Sequence, residues 1–121
     1  MRLCIIANPT SIHTHRWVDY FVHHGYEVHL IGDRRLTALP PVGVIYHDLT
    51  ALTNLRKLRY LAWGRAVRQL VRSIAPDVLH AQYVAGPGWL GAAAGFYPFL
   101  LSAWGSDLLV GPRNSQVQRT L

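Results

Sequence analysis

Two apolar runs in this chain stop abruptly in polar and glycine residues. They are Pro76-Asp-Val-Leu-His-Ala-Gln-Tyr-Val-Ala-Gly-Pro-Gly88 and Leu100-Leu-Ser-Ala-Trp-Gly-Ser-Asp107. A third, shorter run ends at Ala7-Asn8-Pro9-Thr10-Ser11. In an open α/β sheet, strands end this way where they face a ligand crevice. Three such ends predict one binding edge made of three loops. In the middle run, strand alternation puts His80 and Gln82 on one face and Ala81 on the other. Gly86-Pro87-Gly88 follow, and glycines there let backbone approach a ligand closely. The plain alternative is a histidine satisfied by a backbone carbonyl at a strand end. The recurrence of a polar end at Trp104-Gly105-Ser106-Asp107 favours a site.

The first loop, Asn8-Pro-Thr-Ser-Ile-His-Thr-His-Arg16, precedes a helical pattern, where free helix N–H groups attract anions. Ser11 and Thr14 can donate hydrogen bonds, and His13, His15 and Arg16 add positive or switchable charge. Alternatively, Ser11 or Thr14 is simply an N-cap and the histidines are exposed. No GxGxxG and no GxxxxGK[ST] occurs, which disfavours a dinucleotide dehydrogenase and a P-loop nucleotidase. No G-x-S-x-G supports a hydrolase. His13 and His15 lie two apart and His23 and His24 are adjacent, with no HExxH, so no metal and no other cofactor is expected. His23 and His24 fall near a helix end, where a donor side chain is favourable.

These loops need elements to hold them. Leu3–Ala7 reads as a strand, Thr14–His24 as a helix stopped by Gly25, and Glu27–Ile31 as a second strand. Val42–Tyr46 is a third strand. Asn54–Ala75 is a long helix whose inner stripe is Leu55, Leu58, Leu61, Ala62, Ala66, Leu70 and Ile74, ended by Pro76. Val78–Ala81 is a fourth strand, Gly88–Gly95 a tightly packed helix, and Pro98–Ala103 a fifth strand. A last helix opens at Ser106 or Asp107. The alternation predicts an α/β, Rossmann-like, mostly parallel sheet with helices on both faces.

The chain has 121 residues, half of them hydrophobic, which suits one domain over 1–121 with a real core. Its single cysteine, Cys4, lies in the first apolar run and is read as a buried, inert thiol; it excludes an internal disulfide. No apolar run is long enough to span a bilayer, because Gly91, Gly95 and Pro98 break the longest. The N-terminal run is too brief for a secretory signal, so the cytoplasm is the default compartment. Gln116-Val-Gln-Arg-Thr-Leu121 reads as a helix beginning, which fits the first part of a larger protein.

Twelve Lys+Arg against six Asp+Glu give a net charge of +6, which favours anionic partners. Arg56, Lys57, Arg59, Arg65, Arg68 and Arg72 all fall in the long helix, which has no acid. A solvated face is the ordinary explanation. One-signed charge gains nothing from pairing along the helix, however. With Tyr60 and Trp63 beside it, such a face can rest on anionic lipid headgroups. Nucleic acid would suit the charge equally. A peripheral membrane contact is the partner expected here, with no nucleic acid.

Met1-Arg-Leu-Cys-Ile-Ile-Ala7, Gly25-Tyr-Glu-Val-His-Leu-Ile31, Pro76-Asp-Val-Leu-His-Ala-Gln82 and Leu101-Ser-Ala-Trp-Gly-Ser-Asp107 together resemble the N-terminal half of family 4 glycosyltransferases. These are retaining enzymes of the GT-B architecture. The resemblance runs from residue 1 to about 112 and rests on the order and spacing of the pieces. It implies two Rossmann-like domains facing across a cleft, the N-terminal one mainly holding the acceptor. The C-terminal, donor-binding domain with its Glu-x7-Glu motif is absent from this chain. The substrates implied are a nucleotide-sugar and a hydroxyl acceptor, lipid-linked or glycan, with no metal. Pro9 to His15 would approach the donor phosphates and the acceptor. Many members carry a functional histidine after the strand matching Leu100–Ala103; this chain has Trp104-Gly105-Ser106-Asp107 there. Ser106 and Asp107 are therefore expected to bind acceptor hydroxyls. The cleft residues expected are Ser11, His13, His15, Arg16, His80, Gln82, Gly86, Gly88, Trp104, Ser106 and Asp107. The fragment alone should not turn over. The rival readings are a stand-alone Rossmann-like binding or interaction module and part of a sugar-nucleotide epimerase.

Overall fold

The computed structural model describes residues 1–36, 38–51 and 59–103, and of Arg59 and Tyr60 the backbone alone. In chain order the elements are β1 (Arg2–Ala7), α1 (Ile12–His23), β2 (Glu27–Gly32), β3 (Val44–Asp48), a single 3-10 turn (Leu49–Ala51), α2 (Arg59–Ile74), β4 (Val78–Gln82), α3 (Pro87–Ala94) and β5 (Phe99–Ser102). The five strands form one sheet in the order β3-β2-β1-β4-β5, and every pairing is parallel. This is the Rossmann-like arrangement, with its topological switch between β1 and β4.

Alternation along the strands splits the core in two. Leu3, Ile5 and Ala7 of β1 join Val28 and Leu30 of β2 under Val18 of α1. Cys4 and Ile6 join Ile31, Leu79 and Ala81 under Trp63, Val67, Val71 and Ile74 of α2 and Leu90 and Ala94 of α3. So α1 covers one face, and α2 and α3 lie together on the other.

The boundaries move for local reasons. β3 begins at Val44, not Val42, because Gly43 at φ 86 completes a turn that Val44 N–H closes on the Pro41 carbonyl. Helix α1 begins earlier than Thr14 because Ser11 caps it. Helix α3 starts at Pro87, whose fixed φ suits the first turn, and ends at Gly95 at φ 61. The inner stripe of α2 is Trp63, Val67, Val71 and Ile74, while Leu61 is 66% exposed. Taking Trp63 for a membrane-facing aromatic is thus corrected: at 2% exposed it is core, since its large ring buries more apolar area than Leu61 could. The predicted helix from Ser106 or Asp107, and residues 54–58 of the long helix, lie outside the described residues.

Candidate functional site

Because all five strands are parallel, their C-terminal ends share one edge. The loops after β1 and β4 meet there on either side of the switch. Asn8 shapes the first loop: its Oδ1 accepts from Thr10 N at 3.0 Å and from Thr10 Oγ1 at 2.7 Å. Ser11 N bonds the Asn8 carbonyl at 3.2 Å, and Ser11 Oγ accepts from His13 N at 3.3 Å. His15 donates from Nε2 to the Pro9 carbonyl at 2.8 Å, closing the turn. The loop is therefore rigid, with the first-turn N–H groups of α1 opening on the same edge. Ser11 is the N-cap, and His13 and Arg16 are exposed beside it.

Thr14 follows one turn into α1. It is fully buried, and its Oγ1 has no hydrogen-bond partner among the described residues. Its counterpart stands at the end of β4. The register Leu3↔Val78 and Ile5↔His80 puts alternate residues of β4, and so Gln82, on the α1 face. Gln82 is 1% exposed, and among the described residues neither its Oε1 nor its Nε2 has a partner. A buried polar group without a hydrogen bond costs about 1–3 kcal/mol, so buried groups of this kind are rare. Two adjoining elements present such groups at the switch.

The backbone after Gln82 is held in an unusual shape. Tyr83 has φ 99, a region that non-glycine residues seldom occupy. Two bonds fix it there: Tyr83 N to the Ser102 carbonyl at 2.9 Å and Gly88 N to the Tyr83 carbonyl at 3.0 Å. Gly86 at φ 56 then caps α3. Gly88 is buried, and a Cβ on it would meet Leu101 Cδ1 and the Tyr83 carbonyl oxygen at 3.1 Å each. Its lack of a side chain thus serves packing directly.

One step below Gln82, His80 makes a 2.7 Å hydrogen bond through Nε2 with Ser102 Oγ. Trp17 meets the imidazole edge-on, ring centroids 5.3 Å apart. Burial holds the His80 pKa below the usual histidine value, because the imidazolium would lose its hydration. His80 and Ser102 are the polar spots in a groove of about 320 Å³, otherwise lined chiefly by Leu3, Trp17, Phe21, Val78 and Leu100.

The structure thus brings Ser11, His13, His15, Arg16, His80, Gln82, Gly86 and Gly88 to one edge and the face beneath it. Trp104, Ser106 and Asp107 lie outside the described residues. Sequence alone does not single out Ser102 as a site residue: its partner His80 is 22 positions away, and only the β4–β5 register (Gln82↔Ser102) makes them neighbours. The rings of His23 and His24 bond the Asp19 and Tyr20 carbonyls at 2.6 and 2.7 Å, satisfying the end of α1.

No curated protein matches the chain. A family model described as glycosyl transferase 4-like matches residues 2–121, and the groove, the rigid loop and the unsatisfied groups all sit inside that span. With a match over nearly its whole length, the chain belongs to the glycosyl transferase 4-like family.

Proposed function

We propose that this domain is the acceptor side of a retaining glycosyltransferase of GT-B type. The intact enzyme transfers a sugar from a nucleotide diphosphate-sugar to a hydroxyl and keeps the anomeric configuration. The carrying observation is the pair of unsatisfied buried groups, Thr14 Oγ1 and the Gln82 amide, at the sheet switch. An amide offers two donors and an acceptor, and a threonine hydroxyl offers one donor and two lone pairs. Together they suit a ligand rich in hydroxyl or phosphate oxygens. The first-turn N–H groups of α1, with Arg16 beside them, favour the negative charge that builds on a departing diphosphate. The rigid Asn8–Ser11 turn holds those donors in place before substrate arrives, which is how positioned dipoles accelerate group transfer. Neutral His80 with Ser102 is suited to orienting an acceptor whose apolar part lies along Trp17 and Leu100.

A second domain supplies most of the donor site, and no metal or other cofactor takes part. The enzyme works on the cytoplasmic side, resting on anionic membrane through the basic side of α2. Arg65, Arg68 and Arg72 support this: all are exposed, and their spacing puts them on one side of the helix. Arg56 and Lys57 lie outside the described residues.

The test is sugar transfer. Residues 1–121 are offered nucleotide-sugars and hydroxyl acceptors, alone and joined to a donor-binding domain, and the product anomer is read by NMR. Turnover only in the joined form, with retention, is expected. Turnover by 1–121 alone, or an inverted product, would overturn the proposal.

A further inference from the structure

The face of the sheet away from α1 carries α2 and α3 side by side. A Cβ on Gly64 would meet Ala93 Cβ at 3.5 Å, so the two helices touch there. Toward the sheet, α2 buries Trp63, Val67, Val71 and Ile74. Toward solvent it presents Leu61, Arg65, Arg68 and Arg72, spaced by four, three and four, which makes one stripe. Leu61 is 66% exposed, and Trp89 of α3 is 54% exposed. Among the described residues of these two helices, Trp89 is the exposed aromatic side chain, while Trp63 belongs to the core. Leu61 lies one turn before Gly64, and Trp89 one turn before Ala93. Both therefore fall beside the seam where the helices meet.

The seam also has a direction. Helix α3 follows β4 and starts at the edge where the strands end. Helix α2 runs the same way, because it finishes at the opposite edge, where the Ile74 carbonyl accepts from Arg2 Nη1 at 2.6 Å. Leu61 and Trp89 thus stand at the ends of their helices nearer the candidate transfer site, and Arg72 stands at the far end. Neither helix contains Asp or Glu, so the arginines gain nothing from pairing along their own helix. An anionic bilayer surface complements both kinds of group. Its phosphates meet the guanidinium groups, and tryptophan and leucine settle at the boundary between headgroups and chains. A nucleic acid matches the charge and the ring but offers Leu61 no apolar surface.

We propose that Leu61 and Trp89 are membrane anchors, entering the headgroup layer of an anionic bilayer at the α2–α3 seam while Arg65, Arg68 and Arg72 lie on the phosphates. This rests on the membrane contact proposed above and adds to it a second helix, an apolar component and a direction. The charge draws the domain to the surface over about a screening length. The two apolar side chains then hold it there. Because they stand at one end of the stripe, the domain meets the bilayer with the edge of the candidate transfer site leading.

The experiment is cosedimentation with vesicles of phosphatidylcholine, alone and mixed equally with phosphatidylserine. Trp89→Ala should weaken binding to the mixed vesicles about tenfold, and Leu61→Ala several-fold, as expected for apolar side chains of this size leaving water. Trp89→Phe should restore most of the loss. At about 1 M salt the screening length is about 3 Å, and the binding that remains should vanish in Trp89→Ala. Bromine on the lipid chains should quench tryptophan emission in the parent and not in Trp89→Phe. Tyr20→Ala, on α1 at the opposite face, should leave binding unchanged. Suppose that Arg65→Gln, Arg68→Gln and Arg72→Gln together abolish binding while Trp89→Ala and Leu61→Ala bind fully. The anchors are then overturned and the charge contact stands. No binding of the parent to mixed vesicles would remove both. Equal quenching in Trp89→Phe, or tighter binding of the parent to duplex RNA than to mixed vesicles, would also overturn the proposal.

Discussion

Replacing the unsatisfied groups at the switch with apolar shapes should stabilise the fold and abolish its use. Gln82→Met keeps the length of the side chain and removes both the Oε1 and the Nε2 that have no partner. Leaving such a group buried and unbonded costs about 1–3 kcal/mol. Unfolding entropy near 2.1 cal/mol/K per residue gives roughly 0.25 kcal/mol/K for a domain of this size, so each kcal/mol moves Tm by about 4 °C. Gln82→Met should therefore raise Tm by about 4–12 °C. Thr14→Val removes the hydroxyl and keeps the shape of a residue that is fully buried. Its Tm should rise by about 4 °C or more on the same grounds. Differential scanning calorimetry on ligand-free protein measures both. The same variants, joined to a donor-binding domain, should lose sugar transfer or the Tm increase that substrate gives the parent. Stability up and activity down is the signature of polar groups kept for a ligand. A fall in Tm of several degrees would refute the reasoning, because it would mean that these atoms already have partners that hold the fold together.

Gly91 is packed so closely that a Cβ would lie 2.5 Å from Phe99 Cε2 and 3.3 Å from Ala81 Cβ; Gly91→Ala should cost about 1–3 kcal/mol in urea unfolding, with m unchanged. Burial lowers the pKa of His80 and, with the charge on His29 adding to it, that of His47. Both stay neutral when folded and charge more readily when unfolded, so their stabilisation is present above about pH 6.5 and declines as pH falls below it. Tm should start to drop between pH 7 and 5, and His80→Phe should flatten part of that slope. Burial pushes the Cys4 thiol up to about 12, so it should resist thiol reagents at pH 8 until denaturant unfolds the domain. Arg65, Arg68 and Arg72 changed together to Gln should weaken binding to anionic vesicles, and salt should weaken the parent likewise; unchanged binding would remove the membrane contact.

What the sequence reveals here is what local pattern can encode. Short apolar runs ended by Asn8, Gly25 and Pro76 mark the elements, so their order and the parallel sheet follow from them. Ser11 as a cap follows from its type and place. The helix faces are harder. Leu61 and Trp63 both fit a helical stripe over that segment, and only packing on the sheet chooses Trp63. Pairs across strands are not legible at all. His80 with Ser102, and His29 with His47, are 22 and 18 positions apart and become neighbours through register alone. Nor does a sequence say which buried polar atoms go unbonded. Gln82 was visible as a polar strand end, but its missing partners are a property of the assembled sheet.

The two edges of the sheet make the functional case by their contrast. At the N-terminal edge, Arg2 Nη1 donates to the Ile74 carbonyl at 2.6 Å, its N–H reaches Asp77 Oδ2 at 2.7 Å, and its side chain pairs with Glu27. Polar groups there are joined into a mesh that closes the end of β1, in which Arg2 Nε, buried and without a hydrogen bond, is held by its 3.0 Å ion pair with Glu27. The same chain, at the other end of the same strands, leaves the Thr14 hydroxyl and the Gln82 amide buried and unbonded, and holds Tyr83 at a strained φ beside them. Nothing in the composition forced this, since serines, histidines and backbone groups capable of bonding them lie within a residue or two. A domain selected for stability alone would close both edges alike. The unsatisfied edge coincides with the switch point, where open α/β sheets bind ligands. Under the proposed function, its missing hydrogen bonds are those that a polar substrate supplies, and stability lost at that edge becomes affinity when the substrate binds.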